Sequence, residues 1–376
     1  MTLQTFQTLI PPGFIDLGAG DPQLELLPLQ LLRTAAQERL GQNDHAFLQY
    51  GAEQGDGYFR DALANFLTPR YGFPVSHDGL FVTTGISAAL DLLCTLYTKP
   101  GDTILVEEPT YFLALRIFAD HDLNVVSIRT DEAGLDMDAL SDALKTHRPK
   151  FFYIIPTFQN PSGHTLPPER REQIVSLAQK HDFLIFADEV YQFLCYTQAP
   201  PKPFGAYIDS EHVIALSSFS KILAPGLRLG WMHTHPAIMH RLNTCGLLDS
   251  GGGMNPFTSA ILRTVIESGG LEKNIAKLVK VFSKRVKTMA ESLRRHVPQA
   301  QFTTPHGGYF FWLRLPNNDT QEIQKKAQAH QMGLRPGIRF SSRNGLRDYM
   351  RLSISFYEDE QISEGILRLK NCMEGN

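Results

Sequence analysis

Between residues 80 and 235 the chain alternates short runs of β-branched and aromatic residues with segments of helical period. That rhythm constrains it to an α/β domain on a mostly parallel sheet. Seven strands are expected: LFVTT (80–84), TILVE (103–107), NVVSI (124–128), FFYII (151–155), FLIFA (183–187), VIALS (213–217) and RLGWM (228–232). These runs are nearly all apolar, as strands covered on both faces must be, so the sheet is the middle of three layers, α/β/α. Helices are expected at 86–97, 110–120, 136–147 and 167–180, the last opening on Pro167 and Pro168, which suit a first turn. After a long amphipathic helix at 271–296 the rhythm changes to a strand-like stretch (307–315), a helix near 319–330, a strand (349–355) and a final helix from about 358. This is a smaller α+β unit. Residues 1–28, rich in Pro and Gly, read as an irregular arm. The expected division is a large domain over 29–270 and a small domain assembled from 1–28 and 271–376.

A chain of 376 residues with a hydrophobic fraction of 43% has material for a large core and a second unit. Its 36 basic and 39 acidic residues nearly balance, which leaves no electrostatic footprint for nucleic acid or an anionic membrane. A small-molecule partner is the expectation. Four separated cysteines (Cys94, Cys195, Cys245, Cys372) suggest neither a disulfide framework nor a zinc site. With no basic-then-apolar leader and no run of about 18 apolar residues, a cytoplasmic protein is expected.

Lys221 stands in SSFSKILAPGLRLGW (217–231), directly after an expected strand. A lone lysine is ordinarily a solvated surface residue. Here Ser218 and Arg228, both good phosphate ligands, bracket it, and an amine held near a cation in a dry site is activated for Schiff-base chemistry. FLIFADEVYQ (183–192) ends a buried strand on Asp188. Such an acid can simply cap the segment that follows; the Mg²⁺-binding acid pair of an ATPase is ruled out because no GxxxxGK[ST] loop exists. An aspartate at that position can instead pair with a cofactor's pyridine nitrogen, with Tyr191 near the ring oxygen.

Three weaker signals lie at other strand ends. LFVTTGISAALDLL (80–93) is strand, glycine turn and helix, whose start attracts phosphate through Gly85, Ile86 and Ser87, although many such turns serve packing alone. Tyr111 in VEEPTYF (106–112) can stack on a flat ring or pack in the core. Asn160 in IIPTFQNPSG (154–163) is either a plain turn residue or a donor to cofactor and substrate. Arg351, a charge inside the strand YMRLSIS, must either pair with a structural acid or offer its fork to a carboxylate substrate, and the company it keeps favours the substrate.

With these motifs in order along nearly the whole chain, from LQYG (48–51) to RLSIS (351–355), the sequence resembles the fold-type I pyridoxal-phosphate (PLP) aminotransferases of class I/II. The resemblance is to the branch holding aromatic, 2-aminoadipate and kynurenine aminotransferases. It implies a Lys221 Schiff base, Asp188 on the pyridine nitrogen, Tyr191 and Asn160 on the ring oxygen, and a stacked Tyr111. It also implies a phosphate held by Gly85, Ile86, Ser87, Ser218 and Arg228. Arg351 would take the substrate α-carboxylate, aided by Asn160 and the backbone at Gly20. Tyr50 of LQYG would reach the neighbouring subunit's phosphate, with GGGMNPF (251–257) at the shared interface, so a homodimer is implied. The chain departs from the family at Ile86, which contributes only its backbone N–H, and at Phe59, where leucine is usual.

The implied reaction is ping-pong transfer of an amino group from an L-α-amino acid to a 2-oxo acid. One alternative keeps the cofactor: a C–S β-lyase or a synthase of the same fold. A non-catalytic amino-acid sensor is more distant, because such regulators carry a DNA-binding region before the PLP unit. A nicotinamide dehydrogenase would rest on GAGDPQ (18–23), which lacks the third glycine of its motif and meets Pro22. His233, His235 and His240 hint at metal but have no acid in step, so no metal is expected. Tyr111, Tyr191, Phe158 and Phe219 suggest an aromatic-walled site.

Overall fold

The computed structural model describes residues 7–197 and 199–374. Its strands are β1 (Ile15–Asp16), β2 (Leu80–Thr83), β3 (Thr103–Glu108), β4 (Asn124–Asp131), β5 (Gly134–Leu135), β6 (Phe151–Ile154) and β7 (Leu184–Asp188). They continue with β8 (Val213–Ser218), β9 (Gly230–Thr234), β10 (Phe310–Arg314), β11 (Met332–Gly333), β12 (Arg335–Pro336) and β13 (Tyr349–Ser353). The central sheet runs β2-β9-β8-β7-β6-β3-β4-β5. All seven expected strands are in it, and an eighth, the two-residue β5, folds back antiparallel on β4 at the edge. From β8 through β7, β6 and β3 to β4 the pairing is parallel, while β9 runs antiparallel between β2 and β8. The strand expected at 228–232 begins two residues later, because Arg228 adopts a left-handed conformation (φ 47°) that no strand accommodates.

Burial explains the apolar runs. Every residue of β2, β6, β8 and β9 is buried, and helices cover both faces, which gives two side-chain clusters, one on each side of the sheet. Side-chain caps mark several of these helices: Asp56 accepts from Phe59 N, Asp136 from Ala139 N, and Asp319 from Gln321 N.

A three-stranded antiparallel sheet, β10-β13-β12, forms the C-terminal part with the helices Thr320–Ala329 and Asp359–Glu374. The arm is less irregular than its composition suggests: Ile15 and Asp16 pair in parallel with Met332 and Gly333. Ile15 N donates to Gln331 O at 2.9 Å, and this pairing with a distant segment outweighs local propensity there. The helix Gly270–His296 packs on Asp359–Glu374, and Leu29–Leu40 packs on Pro256–Glu267. Among the described residues no helix is long and apolar enough to cross a membrane.

Candidate active site

Parallel strands that share a direction deliver their C-terminal ends to one edge, and the loops leaving β3, β6, β7 and β8 carry the candidate residues there. Asp188 closes β7 opposite Leu216 of β8, and Lys221 follows in the turn that leaves β8. Asp188 is buried; Tyr153 OH donates to its Oδ2 at 2.9 Å and Val190 N to its Oδ1 at 3.3 Å. Burial pushes the Asp188 carboxyl up to about 6, against the pull of those two donors and of the Lys221 charge. Burial lowers the Lys221 amine to about 8, with Arg351 lowering it further while Asp21 and Asp188 oppose the shift. Its Nζ donates to Gly20 O at 2.9 Å, so GAGDPQ is not a nucleotide turn: it leads into the short 3-10 helix Leu24–Leu26 and lays its backbone on the lysine.

The start of the helix Ile86–Tyr97 lies beside the beginning of β9. Gly85 has φ 95° and ψ 169°, and no side chain caps the helix. That conformation is essentially confined to glycine. A Cβ on Gly85 would stand 3.0 Å from Arg228 Nη2, so the missing side chain is what lets the guanidinium close on the free helix start. Ser218 is buried, with its Oγ 2.9 Å from Ser220 Oγ. Gly85 thus lies against the left-handed Arg228, with Ile86 and Ser87 following it at the helix start and Ser218 paired with Gly230 across the sheet, its Oγ donating to Leu229 O at 3.1 Å. Donors without an acid among them are the chemistry of a phosphate cradle, and the residues present fit that group.

Arg351, in β13, is buried, and among the described residues no carboxylate pairs with it. Its Nη1 donates to Asn160 Oδ1 and its Nη2 to Gly18 O, both at 2.8 Å, while its Nε is buried with no partner. The carbonyl holding Arg351 is therefore Gly18's, and Gly20's is taken by Lys221. Phe310 and Phe340 lie 4.0 and 5.0 Å from the guanidinium carbon. Burial lowers Arg351 to about 10. A buried cation with an orphaned donor and no acid is the arrangement that an anionic ligand completes.

Tyr191 and Tyr111 join this group, since the charges of Arg351 and Asp188 act on both phenols; burial raises Tyr191 well above its usual value and Tyr111 to about 12. Both stay protonated and can only donate to an oxyanion. Asn160, its Oδ1 turned to Arg351, keeps Nδ2 as a donor. Two of the expected aromatic walls turn away: Phe219 packs on Phe59 and Trp231 in the core, and Phe158 lies against Gly307. Tyr50 is 83% exposed and is not brought into the cluster within one chain. His233 is buried in β9, where burial lowers it to about 4, and among the described residues no group of three His, Cys, Asp or Glu is arranged for a metal ion.

Sequence reasoning missed Tyr153, Gly18, Phe310 and Phe340. Tyr153 left one trace, a hydroxyl inside the apolar run FFYII, which must find a partner once buried. Phe340 gave none, because it arrives through a loop held by Thr110 N to Phe340 O (3.0 Å) and Ser341 Oγ to Glu108.

Comparison with known proteins points to one family. Residues 12–369 match the family model described as aminotransferase class I and II. Aromatic-amino-acid aminotransferase 1 of Thermococcus litoralis is 35% identical over 96% of this chain and 88% of its own. The 2-aminoadipate transaminase of Thermus thermophilus is 29% identical, covering 97% and 91%. Among solved structures, Pyrococcus horikoshii kynurenine aminotransferase, in complex with PMP, is similar at a TM-score of 0.90 and 32% identity, covering 96% of this chain and 91% of that one.

Proposed function

Because this chain belongs to the class I and II aminotransferases, a PLP-dependent family, we propose that it moves an amino group from an L-α-amino acid to a 2-oxo acid with its cofactor carried on Lys221. The observation that carries the reading is Arg351: buried, without an acid partner, and close enough to Lys221 to lower its amine. A site with those two cations and Asp188 has one place for a carboxylate and one for an aldehyde.

PLP, joined through its aldehyde to Lys221, supplies an electron sink for negative charge at the substrate α-carbon. The chain's own residues do the rest. Asp188, buried and hydrogen-bonded by Tyr153, keeps a negative charge against the pyridine nitrogen. Gly85, Ile86, Ser87, Ser218 and Arg228 hold the phosphate; Tyr191 and Asn160 donate to the ring oxygen, and Tyr111 stacks. Arg351 receives the α-carboxylate through its unpartnered Nε, held in place by Asn160 Oδ1 and Gly18 O and shielded from water by Phe310 and Phe340. Lys221 Nζ, with its amine lowered to about 8, is neutral often enough near neutral pH to take the proton from the substrate α-carbon and hold it for return.

The working unit we propose is a cytoplasmic homodimer. Tyr50, Tyr58, Leu48, Leu247 and Phe257 are exposed, and a bridge from Gly51 to Gly253 joins the two segments that bear them. Such a patch favours a second copy, with Tyr50 offered to its partner's phosphate cradle. Among the described residues no cysteine is in a disulfide, which suits a reducing compartment. Tyr111, Phe112, Phe310 and Phe340 favour substrates with aromatic or long aliphatic side chains, in line with the aromatic-amino-acid and kynurenine aminotransferases among the similar proteins.

Product analysis tests the reading. Aromatic, 2-aminoadipate and kynurenine substrates are offered with and without a 2-oxo acid. Turnover that requires the acceptor and yields the matching oxo acid supports transamination; pyruvate and ammonia released from a cysteine conjugate without acceptor would instead identify a β-lyase.

A further inference from the structure

Among the described residues the Tyr153 hydroxyl has one partner, Asp188. Tyr153 lies in β6, register-paired with Phe186 of β7 two residues before the aspartate, so its side chain runs along the sheet toward the strand end. Phe118 meets its ring edge-on at 5.5 Å and 70°, and the whole residue is buried. A ring so fixed aims its hydroxyl in one direction. The opposing carboxylate oxygen receives only the longer contact from Val190 N, at 3.3 Å.

We propose that Tyr153 is a positioning residue for the reaction: by donating to Asp188 Oδ2 it keeps that carboxyl ionised and turns its remaining lone pairs toward the pyridine nitrogen. This rests on the role given to Asp188 above. The sense of the hydrogen bond is fixed by chemistry. Burial and the neighbouring carboxylate raise the phenol well above its usual value, so Tyr153 does not ionise and only donates. A carboxylate in a buried site needs such a donor, because its desolvation favours the neutral acid, which no longer accepts from a protonated ring nitrogen. Hydrogen bonds to charged groups are the strong ones, and losing one here corresponds to roughly a 10- to 100-fold change in an equilibrium the charge controls.

The test is a double-mutant cycle on holoenzyme with Tyr153→Phe, Asp188→Asn and both together. Tyr153→Phe keeps the ring and its packing on Phe118. Two readouts accompany kcat and KM: the PLP dissociation constant by equilibrium dialysis, and the pH titration of the cofactor's absorbance bands. Tyr153→Phe is expected to weaken PLP binding roughly 10-fold or more and to shift the band ratio in the same direction as Asp188→Asn. It should lower kcat with little change in KM, and in the Asp188→Asn background it should add nothing. If Asp188→Asn weakens binding while Tyr153→Phe leaves both readouts within about two-fold, the role of Tyr153 is overturned and that of Asp188 stands. Additive effects in the double variant would also overturn it, since the tyrosine would then act elsewhere. An Asp188→Asn enzyme with unaltered cofactor binding and spectrum would remove both roles together.

Discussion

Arg351 and Asn160, 191 positions apart, share a 2.8 Å hydrogen bond from Nη1 to Oδ1 that joins β13 to the loop leaving β6. The bond fixes both partners' remaining donors, Arg351 Nε and Asn160 Nδ2, for a substrate carboxylate. Arg351→Ala is expected to reduce kcat/KM for amino acids roughly 100-fold, a loss of about 3 kcal/mol for a charge-assisted contact. Most of it should appear in KM. Steady-state kinetics check this, and an unchanged KM would assign Arg351 a purely structural part.

Gly85 makes a second expectation. Any side chain there meets a backbone conformation that costs about 1–3 kcal/mol for a residue other than glycine. It also meets Arg228 Nη2 at 3.0 Å from the new Cβ. Gly85→Ala should therefore lower the melting temperature and weaken PLP binding about 10-fold or more by displacing the guanidinium. Equilibrium dialysis and thermal unfolding measure the two effects separately.

The Lys221 amine should betray its burial in the cofactor-free protein. Its proton leaves near pH 8 in the folded chain, against an ordinary value of 10.5. Between those values the unfolded chain binds more protons, so this group's contribution to stability rises with pH across that window. Asp188 works in the opposite sense: with the folded carboxyl raised to about 6 from 3.8, its contribution falls as pH rises between the two. Acylation followed by mass spectrometry should give Lys221 a reactivity midpoint near pH 8, well below that of surface lysines.

The shared-site reading makes a complementation experiment possible. Lys221→Ala and Tyr50→Ala homodimers should both be impaired, the second through weakened phosphate binding. Mixed dimers hold one site with an intact Lys221 and an intact partner tyrosine. Recovery of activity on mixing is the expected outcome, and light scattering should return the mass of two chains.

The α/β alternation was legible because buried parallel strands are continuous apolar runs, so the seven long strands and the helices between them stand where the periodicity predicts. Other helices were not. Gly57–Tyr71 begins on GDGY and contains Pro69, and its legible signals were only the Asp56 cap and Gly72 just past its end. The arm strand Ile15–Asp16 exists through pairing with Met332–Gly333, a partner that no local pattern reveals. The site divides the same way. Asp188 closes a strand and Lys221 and Asn160 follow strand ends, where sequence position alone marks an edge of the sheet. Phe340 and Gly18 reach Arg351 through loops folded from far along the chain, and Phe219, an aromatic two residues before the lysine, turned into the core against Trp231 instead.

Borohydride reduction of the holoenzyme, followed by peptide mapping, tests the attachment of the cofactor most directly. The phosphopyridoxyl mass is expected on the peptide bearing Lys221 and nowhere else, and lost with Lys221→Ala. The same mass on another lysine, or on none, would contradict the account.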